Sequence, residues 1–426
     1  MGPKDLPPEI LSLIISLLVE RANSPSEWRD NLQHICNARL VCRLWNTLAT
    51  TYVFENLVLA YTTDEYKAWG DMIDSGVVKQ AARRVYIRTA PDDDHEGGIW
   101  NAYTKKGHDG LIKSITRISE LEHIKELYLR FSKHCNGVEV RYRLREEVVE
   151  DIAIRHYILE NVFRAIQSPA RNNFATSDIR TLTIENLQNT PLPDFTSSEL
   201  FRAVTKNINF LHLMVADEYN EARPDWDAYR LERRVFEPLT TLNLGNFVIG
   251  HHEQFDWVLN QSSLTSLRLD RCSIVSYLAT FRENIHSWQV RTHDWHEYPT
   301  GSFGLDASDA IYGFSGTWET IFNSICRSLP RLSDFRFRYG HDPVFPVRPD
   351  KLSVGLTKKR YTAFEDNSWN DVDESGFLTF GDSLRGRPDK RYLNRSEETE
   401  VGDYQALDAL IQEVRKRQQQ LTLRSD

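Results

Sequence analysis

Two histidine-bearing clusters are the first candidates for chemistry in this 426-residue sequence: His251-His252-Glu253 and His293-Asp294-Trp295-His296-Glu297. Imidazole and carboxylate groups at short spacing are the donor types that hold zinc or another first-row ion. The second cluster lies in an irregular, aromatic stretch, where a surface loop accounts for it without a metal, so no metal ligands are assigned. Asp92-Asp93-Asp94-His95-Glu96 reads as a solvated acidic loop. The five cysteines (Cys36, Cys42, Cys135, Cys272, Cys326) are odd in number and widely spaced. They form no Cys-x-x-Cys pair, so neither a disulfide framework nor a zinc knuckle is expected, and a reducing cytosol or nucleus fits them. The sequence has no phosphate-cradling glycine loop and no Gly-x-Ser-x-Gly elbow. No catalytic residue and no cofactor is assigned, and an enzyme is not expected.

The composition is that of an ordinary soluble globular protein. Hydrophobic content is 40% and charged content 27%, ordinary values for a globular chain. A formal net charge of −9 lacks the basic field of a nucleic-acid binder. No apolar run approaches the roughly 18 residues needed to span a bilayer. The length allows one large domain or two to three ordinary ones.

The N-terminal stretch is the most organised. A helix is expected from Pro8, where a fixed φ suits the opening turn. Ile10, Leu13, Ile14, Leu17 and Leu18 share one helical face, and Leu11, Ile15 and Val19 form a second apolar row. Glu9, Ser12, Ser16 and Glu20 leave only a narrow polar stripe. A helix apolar on most of its circumference requires burial on more than one side, and about 50 residues cannot supply that alone. Either the rest of the chain or a partner must cover the second side. The apolar run is also the length of a signal-peptide core, but Asp5, Glu9 and the Pro7-Pro8 pair argue against a leader. Asn23 to Asn31 reads as a loop ending in a helix start. Leu32, Ile35 and Cys36, then Leu40, Val41, Leu44, Trp45 and Leu48, keep helical spacing, with Cys42 packed among them. Phe54 to Leu59 alternates and reads as a strand.

Further along, an apolar-x-x-apolar-x-apolar phrase recurs. Its copies end in Leu127-Tyr-Leu129, Leu182-Thr-Ile184, Leu211-His-Leu213, Leu242-Asn-Leu244, Leu267-Arg-Leu269 and Phe335-Arg-Phe337, with a weaker one at Val85-Tyr-Ile87. The middle copies recur at the period of a repeat made of one strand and one helix. Helices are expected between them at 146–167, 198–206, 253–260 and 318–329. Ser276 to Gly316 reads as an aromatic insertion containing Trp288, Trp295, Tyr298, Phe303, Tyr312 and Phe314. After Gly340, prolines and an acidic, aromatic stretch from Phe364 to Thr379 give an irregular tail. A last amphipathic helix, 402–420, carries Leu407, Leu410, Ile411 and Val414 on one side, suited to covering the open end of a repeat stack.

The N-terminal residues carry a resemblance. Leu6-Pro7-Pro8-Glu9-Ile10, apolar residues at helical spacing, and then Leu40-Val41-Cys42-Arg43-Leu44-Trp45 resemble an F-box. Such proteins dock on the Skp adaptor, which joins them to a cullin–RING ubiquitin ligase, while another domain holds a protein substrate. The resemblance implies an adaptor-facing set of Leu6, Pro7, Ile10, Ile14, Leu18, Leu40, Val41, Cys42 and Trp45. An F-box followed by irregular leucine-rich repeats is similar in layout to a large fungal set.

The resulting expectation is an α/β chain. It has a helical F-box at 1–59, an irregular leucine-rich-repeat solenoid at 60–340 with the insertion at 276–316, and a tail at 341–426. Within each repeat, the residue between the last two apolar positions points away from the core. That row runs Tyr128, Thr183, His212, Asn243, Arg268 and Arg336, with Arg338 one pleat further. His212, Asn243, Arg268, Arg336 and Arg338, with Trp288 and Trp295 beside them, are the candidate substrate-binding residues, and an acidic or phosphorylated segment is the ligand they suit. The expected partners are the Skp adaptor, the cullin–RING ligase and a protein substrate, with no nucleic acid and no membrane. The alternative is a repeat scaffold that works outside any ubiquitin ligase.

Overall fold

The computed structural model describes residues 7–18, 25–60, 63–89, 105–132, 134–136, 149–167, 178–187, 198–215, 236, 238–287, 290–302, 309–338, 356–365, 368–370 and 395–425. In chain order the first elements are α1 (Pro8–Leu18), α2 (Pro25–Arg39), α3 (Arg43–Val53), β1 (Asn56–Leu59), α4 (Thr63–Ile73), α5 (Gly76–Ala81) and β2 (Arg84–Arg88). Next come α6 (Lys105–Thr116), β3 (Glu126–Arg130), β4 (His134–Asn136), β5 (Val149–Asp151), α7 (Ile152–Gln167), β6 (Thr181–Leu187), α8 (Glu199–Thr205), β7 (Phe210–Val215), β8 (Thr241–Gly245), β9 (Val248–Ile249) and α9 (Asp256–Leu259). The rest are β10 (Ser266–Asp270), β11 (Ser273–Phe281), α10 (Arg282–Ser287), β12 (Trp295–Tyr298), β13 (Asp309–Phe314), α11 (Trp318–Ser328), β14 (Asp334–Arg338), β15 (Tyr361–Glu365), β16 (Ser368–Asn370) and α12 (Ser396–Ser425). No helix among the described residues is long and apolar enough to cross a membrane.

The first three helices form a small unit with its own core of Ile15, Ile35, Ala38, Ala49 and Val53. Both α1 and α2 open on a proline, which has no N–H to leave unpaired at a helix start. The second opening corrects the reading of 23–31 as a loop: from Pro25 onward those residues are helical.

Eight strands then form one parallel sheet in chain order, β1-β2-β3-β6-β7-β8-β10-β14. Its register is the register of the recurring phrase. Leu57, Val85, Leu127, Leu182, Leu211, Leu242, Leu267 and Phe335 form one continuous row, and Leu59, Ile87, Leu129, Ile184, Leu213, Leu244, Leu269 and Phe337 form a second. Both rows are buried, together with Trp69, Ile115, Phe163, Val204, Trp257 and Phe322 from the intervening helices. β1 is thus an eighth copy, one strand before Val85-Tyr-Ile87, and the sequence holds the whole phrase there as Phe54-Glu-Asn-Leu57-Val-Leu59.

Three strands carry a left-handed residue two places past the last core position: Asn186 at the irregularity inside β6, and Asn246 and Arg271 in the turns just after β8 and β10. Asparagine tolerates that region better than most residues. Beyond two of these turns the chain continues as β9 and β11, which pair with each other. They start a second, mixed sheet of order β12-β13-β11-β15-β16, with β9 beside β11. The stretch from Ser276 to Gly316 thus lies between the neighbouring strands β10 and β14, and its described residues include strands of this second sheet. β11 already begins at Ser273, and β12 and β13 extend the same sheet toward Phe314. β15 comes from the tail, where Tyr361, Ala363 and Phe364 are buried beside β11. Alternation over so few residues gives no periodicity to detect.

Two buried ion pairs tie distant segments. Arg155 Nε donates to Glu150 Oε2 at 2.9 Å, and its other nitrogens donate to the carbonyls of Ser132 and Asn186. Arg360 Nε donates to Asp403 Oδ2 at 2.9 Å, while Asp403 Oδ1 accepts from the backbone N–H of Glu319 and so caps α11. The second pair seats α12 on α11, where Ala406, Leu407, Leu410 and Val414 are buried. α12 also packs against β14, the last strand of the parallel sheet. It is longer at both ends than the expected 402–420, because the flanking turns are mostly exposed and add nothing to the amphipathic pattern of its centre.

Candidate interaction surfaces

The N-terminal helices distribute their apolar residues unevenly. Leu11 and Ile15 face inward from α1, while Ile10, Leu13 and Leu17 are 43%, 57% and 71% exposed. Positions two residues beyond an inward one lie about 200° around a helix, so 13 and 17 must point out once 11 and 15 point in. At the α2–α3 junction, Leu40 and Val41 are 84% and 59% exposed, and Leu44 in the first turn of α3 is exposed too. Of the sequence-derived set, Pro7, Ile10, Leu40 and Val41 are exposed and Ile14 and Cys42 are half-buried. Trp45 packs partly buried against the local core rather than projecting outward. Leu6 lies outside the described residues, as does the side chain of Leu18. Leu13, Leu17 and Leu44 are the residues that sequence reasoning missed. The clue was the second apolar row, which takes the inward face.

The sheet's other face carries a row in strict register: Val58, Tyr86, Tyr128, Thr183, His212, Asn243, Arg268 and Arg336. It is aromatic at one end and cationic at the other. The rings of Tyr86 and Tyr128 lie 5.4 Å apart. β10 and β14, with the turn residue Arg271, hold four guanidinium groups (Arg268, Arg271, Arg336, Arg338) against the carboxylates of Asp270 and Asp334. Asp334 accepts from Ser266 Oγ at 2.8 Å and pairs with Arg268 at 3.5 Å and Arg336 at 3.3 Å. Burial alone would raise its pKa, but the Ser266 hydrogen bond and the two arginines hold the carboxyl below its usual range. Burial raises the Asp270 carboxyl, against the pull of Arg271 and Arg338.

Two expectations for this face are corrected. His212 and Asn243 share the row but are only 4% and 6% exposed. Burial, reinforced by the Arg268 charge, lowers the His212 pKa to about 4, so the imidazole is neutral at pH 7. Trp295 is not a solvent-facing aromatic: it is buried, stacks on Phe314 with centroids 5.4 Å apart, and donates from Nε1 to the Gly250 carbonyl at 2.7 Å. Trp288 and the Asp92–Glu96 stretch lie outside the described residues.

The two histidine clusters, 42 positions apart between His251 and His293, meet in space. His251 is buried, and its Nδ1 lies 2.5 Å from Asp294 Oδ1. Asp294 Oδ2 accepts from the backbone N–H of His252 at 3.0 Å. The rings of His251 and His293 stack at 5.1 Å, and the donor atoms of His251, His293 and Asp294 all lie within 4.8 Å of one another. The pairing of β12 with β13 and β13 with β11 brings the second cluster to the turn after β9. None of that pairing is visible in the spacing of the clusters.

The helical unit also answers to a known family. Residues 4–60 match the F-box-like family model. The chain carries an F-box-like domain. Its family match takes in α1 through β1, so the domain's last residues are already the first strand of the parallel sheet. F-box domains commonly bind a Skp adaptor, and the exposed apolar residues of α1 and the α2–α3 junction belong to this domain. No curated protein matches the chain.

Proposed function

We propose that this chain is the substrate-recognition subunit of a Skp–cullin–F-box ubiquitin ligase. The F-box-like domain at 4–60 supports the reading most directly. Its exposed apolar residues give it a physical basis: covering a leucine side chain contributes about 1.5–3 kcal/mol, and Ile10, Leu13, Leu17, Leu40, Val41 and Leu44 all remain open to such cover. In this reading the Skp adaptor covers them and links the chain to the cullin–RING core. The parallel strands and their helices act as an irregular leucine-rich-repeat solenoid whose polar row faces a protein substrate. The excess of arginine at the β10–β14 end suits an acidic or phosphorylated segment. The chain performs no chemistry itself; it brings substrate to a ubiquitin-conjugating enzyme in the cytosol or nucleus.

Co-expression with the Skp adaptor tests the reading. The parent chain is expected to form a one-to-one complex, and replacing Leu13 and Leu17 together by Ser should weaken it at least about tenfold, as removal of central interface anchors does. A parent chain that elutes free of the adaptor overturns the ligase assignment and leaves a repeat scaffold acting outside it. For the substrate face, Arg268→Ala and Arg336→Ala variants should lose capture of ubiquitinated protein from proteasome-blocked cells. Unchanged capture removes the arginines from the recognition surface.

A further inference from the structure

We propose that His251, His293 and Asp294 form a metal site, with zinc the ion that the donor set fits best. Two imidazoles and one carboxylate suit zinc, with a water completing a tetrahedron. The three residues come from two segments that the fold converges, and each segment is pinned independently of any ion. Gln254 holds the first turn: its Oε1 accepts from the Gly250 N–H at 2.7 Å and its Nε2 donates to the Val248 carbonyl at 2.8 Å. Trp295 holds the second through its bond to Gly250, and Arg291 pairs with Glu253 at 2.7 Å across the two segments. The N–H of His252 fixes one oxygen of Asp294 and leaves the other turned to His251. Such outer partners orient metal ligands and are worth a large factor in affinity.

The geometry also supplies an entrance. His251 is buried, whereas His293 is exposed and rests its ring on His251. Zinc bonds of about 2.0–2.2 Å place tetrahedral donors roughly 3.3 Å apart. The ion would take the place of the proton between Nδ1 and Oδ1, widening that 2.5 Å contact, while the His293 ring swings in from solvent. If the imidazole is charged, the displaced proton leaves to solvent; if neutral, it shifts to Nε2. The bound ion would clamp the turn after β9 to the loop that leads into β12, and so tie together two ends of the second sheet.

The experiment uses the full chain, stripped of metal with a chelator and then titrated with zinc against a chromogenic competitor. One equivalent is expected, and cobalt in its place should give the visible bands of a tetrahedral site. His293→Ala changes an exposed ring, so the fold should be retained, and it should weaken zinc about 100-fold. Asp294→Asn should weaken it too, whereas His123→Ala, an exposed histidine elsewhere, should not. No uptake by the parent chain, uptake unaltered in His293→Ala, or an equal loss in His123→Ala overturns the site. Circular dichroism of each stripped variant separates loss of ligand from loss of fold.

Discussion

The helical unit and the parallel sheet solve the burial problem in opposite ways. In α1–α3, each helix gives part of its apolar surface to a small core and leaves the rest in water: Leu11 is buried while Leu13 is open. In the sheet, every residue of the two apolar rows is buried, and what faces outward is mostly tyrosine, threonine and arginine. The difference comes from architecture. A sheet presents two faces of fixed identity, and adding strands enlarges the core in proportion. Three short helices enclose too small a volume to bury all their apolar positions. The sheet therefore completes its own core and carries a cover for its last strand, α12. The helical unit leaves Leu13, Leu17, Leu40 and Val41 open to solvent.

The largest effect should come from removing the sheet's own cover. Asp403→Ala leaves Arg360 buried without its carboxylate and removes the acceptor of the Glu319 N–H at the start of α11; the expected loss is about 3–5 kcal/mol, read by urea denaturation of the full chain. A loss below about 1 kcal/mol would mean that α12 contributes little to closing the sheet. Next in size is the contrast inside α1. Ile15→Ala empties a packed position and should cost about 2–5 kcal/mol, whereas Leu17→Ser, on the open face, should stay within about 0.5 kcal/mol of the parent. Equal losses from the two would erase the distinction between inner and outer faces. The smallest effect belongs to the surface network where Arg117 and Lys79 bind Glu120 at 2.8 Å each. Their hydrogen bonds lower the Glu120 pKa from 4.5 to about 2. A carboxyl depressed on folding stabilises above its unfolded pKa and ceases to do so as pH falls through the folded one. Glu120→Gln should thus cost at most about 1 kcal/mol at pH 7, since the side chain is one-third exposed. That difference should fade between pH 4.5 and about 2.

Much of this was legible in the residues. The phrase ending in Leu182-Thr-Ile184 marks β6, and its copies mark six other strands of the sheet in the correct order and register. Period-two alternation binds each residue to one face, so the row from Tyr128 to Arg336 follows from the sequence alone. Less legible was how exposed each member of that row is. His212 and Arg268 occupy equivalent positions, yet one is sealed and the other partly open, because exposure depends on tertiary packing and not on strand position. The aromatic stretch from Ser276 to Gly316 hid a sheet, since its central strand pairs with a segment far along the chain, as Ile274 does with Tyr361.

The sequence by itself determined the helical start at Pro8, the F-box-like pattern, the strand phrase and the polar row, all of which rest on local spacing. Tertiary structure alone decided which side of α1 is inward and that β15 completes a second sheet. It also decided that Arg360 meets Asp403 and that His251 meets His293 and Asp294. Those outcomes depend on which distant segments pack together, and a periodicity of two or of 3.6 carries no information about contacts made far along the chain.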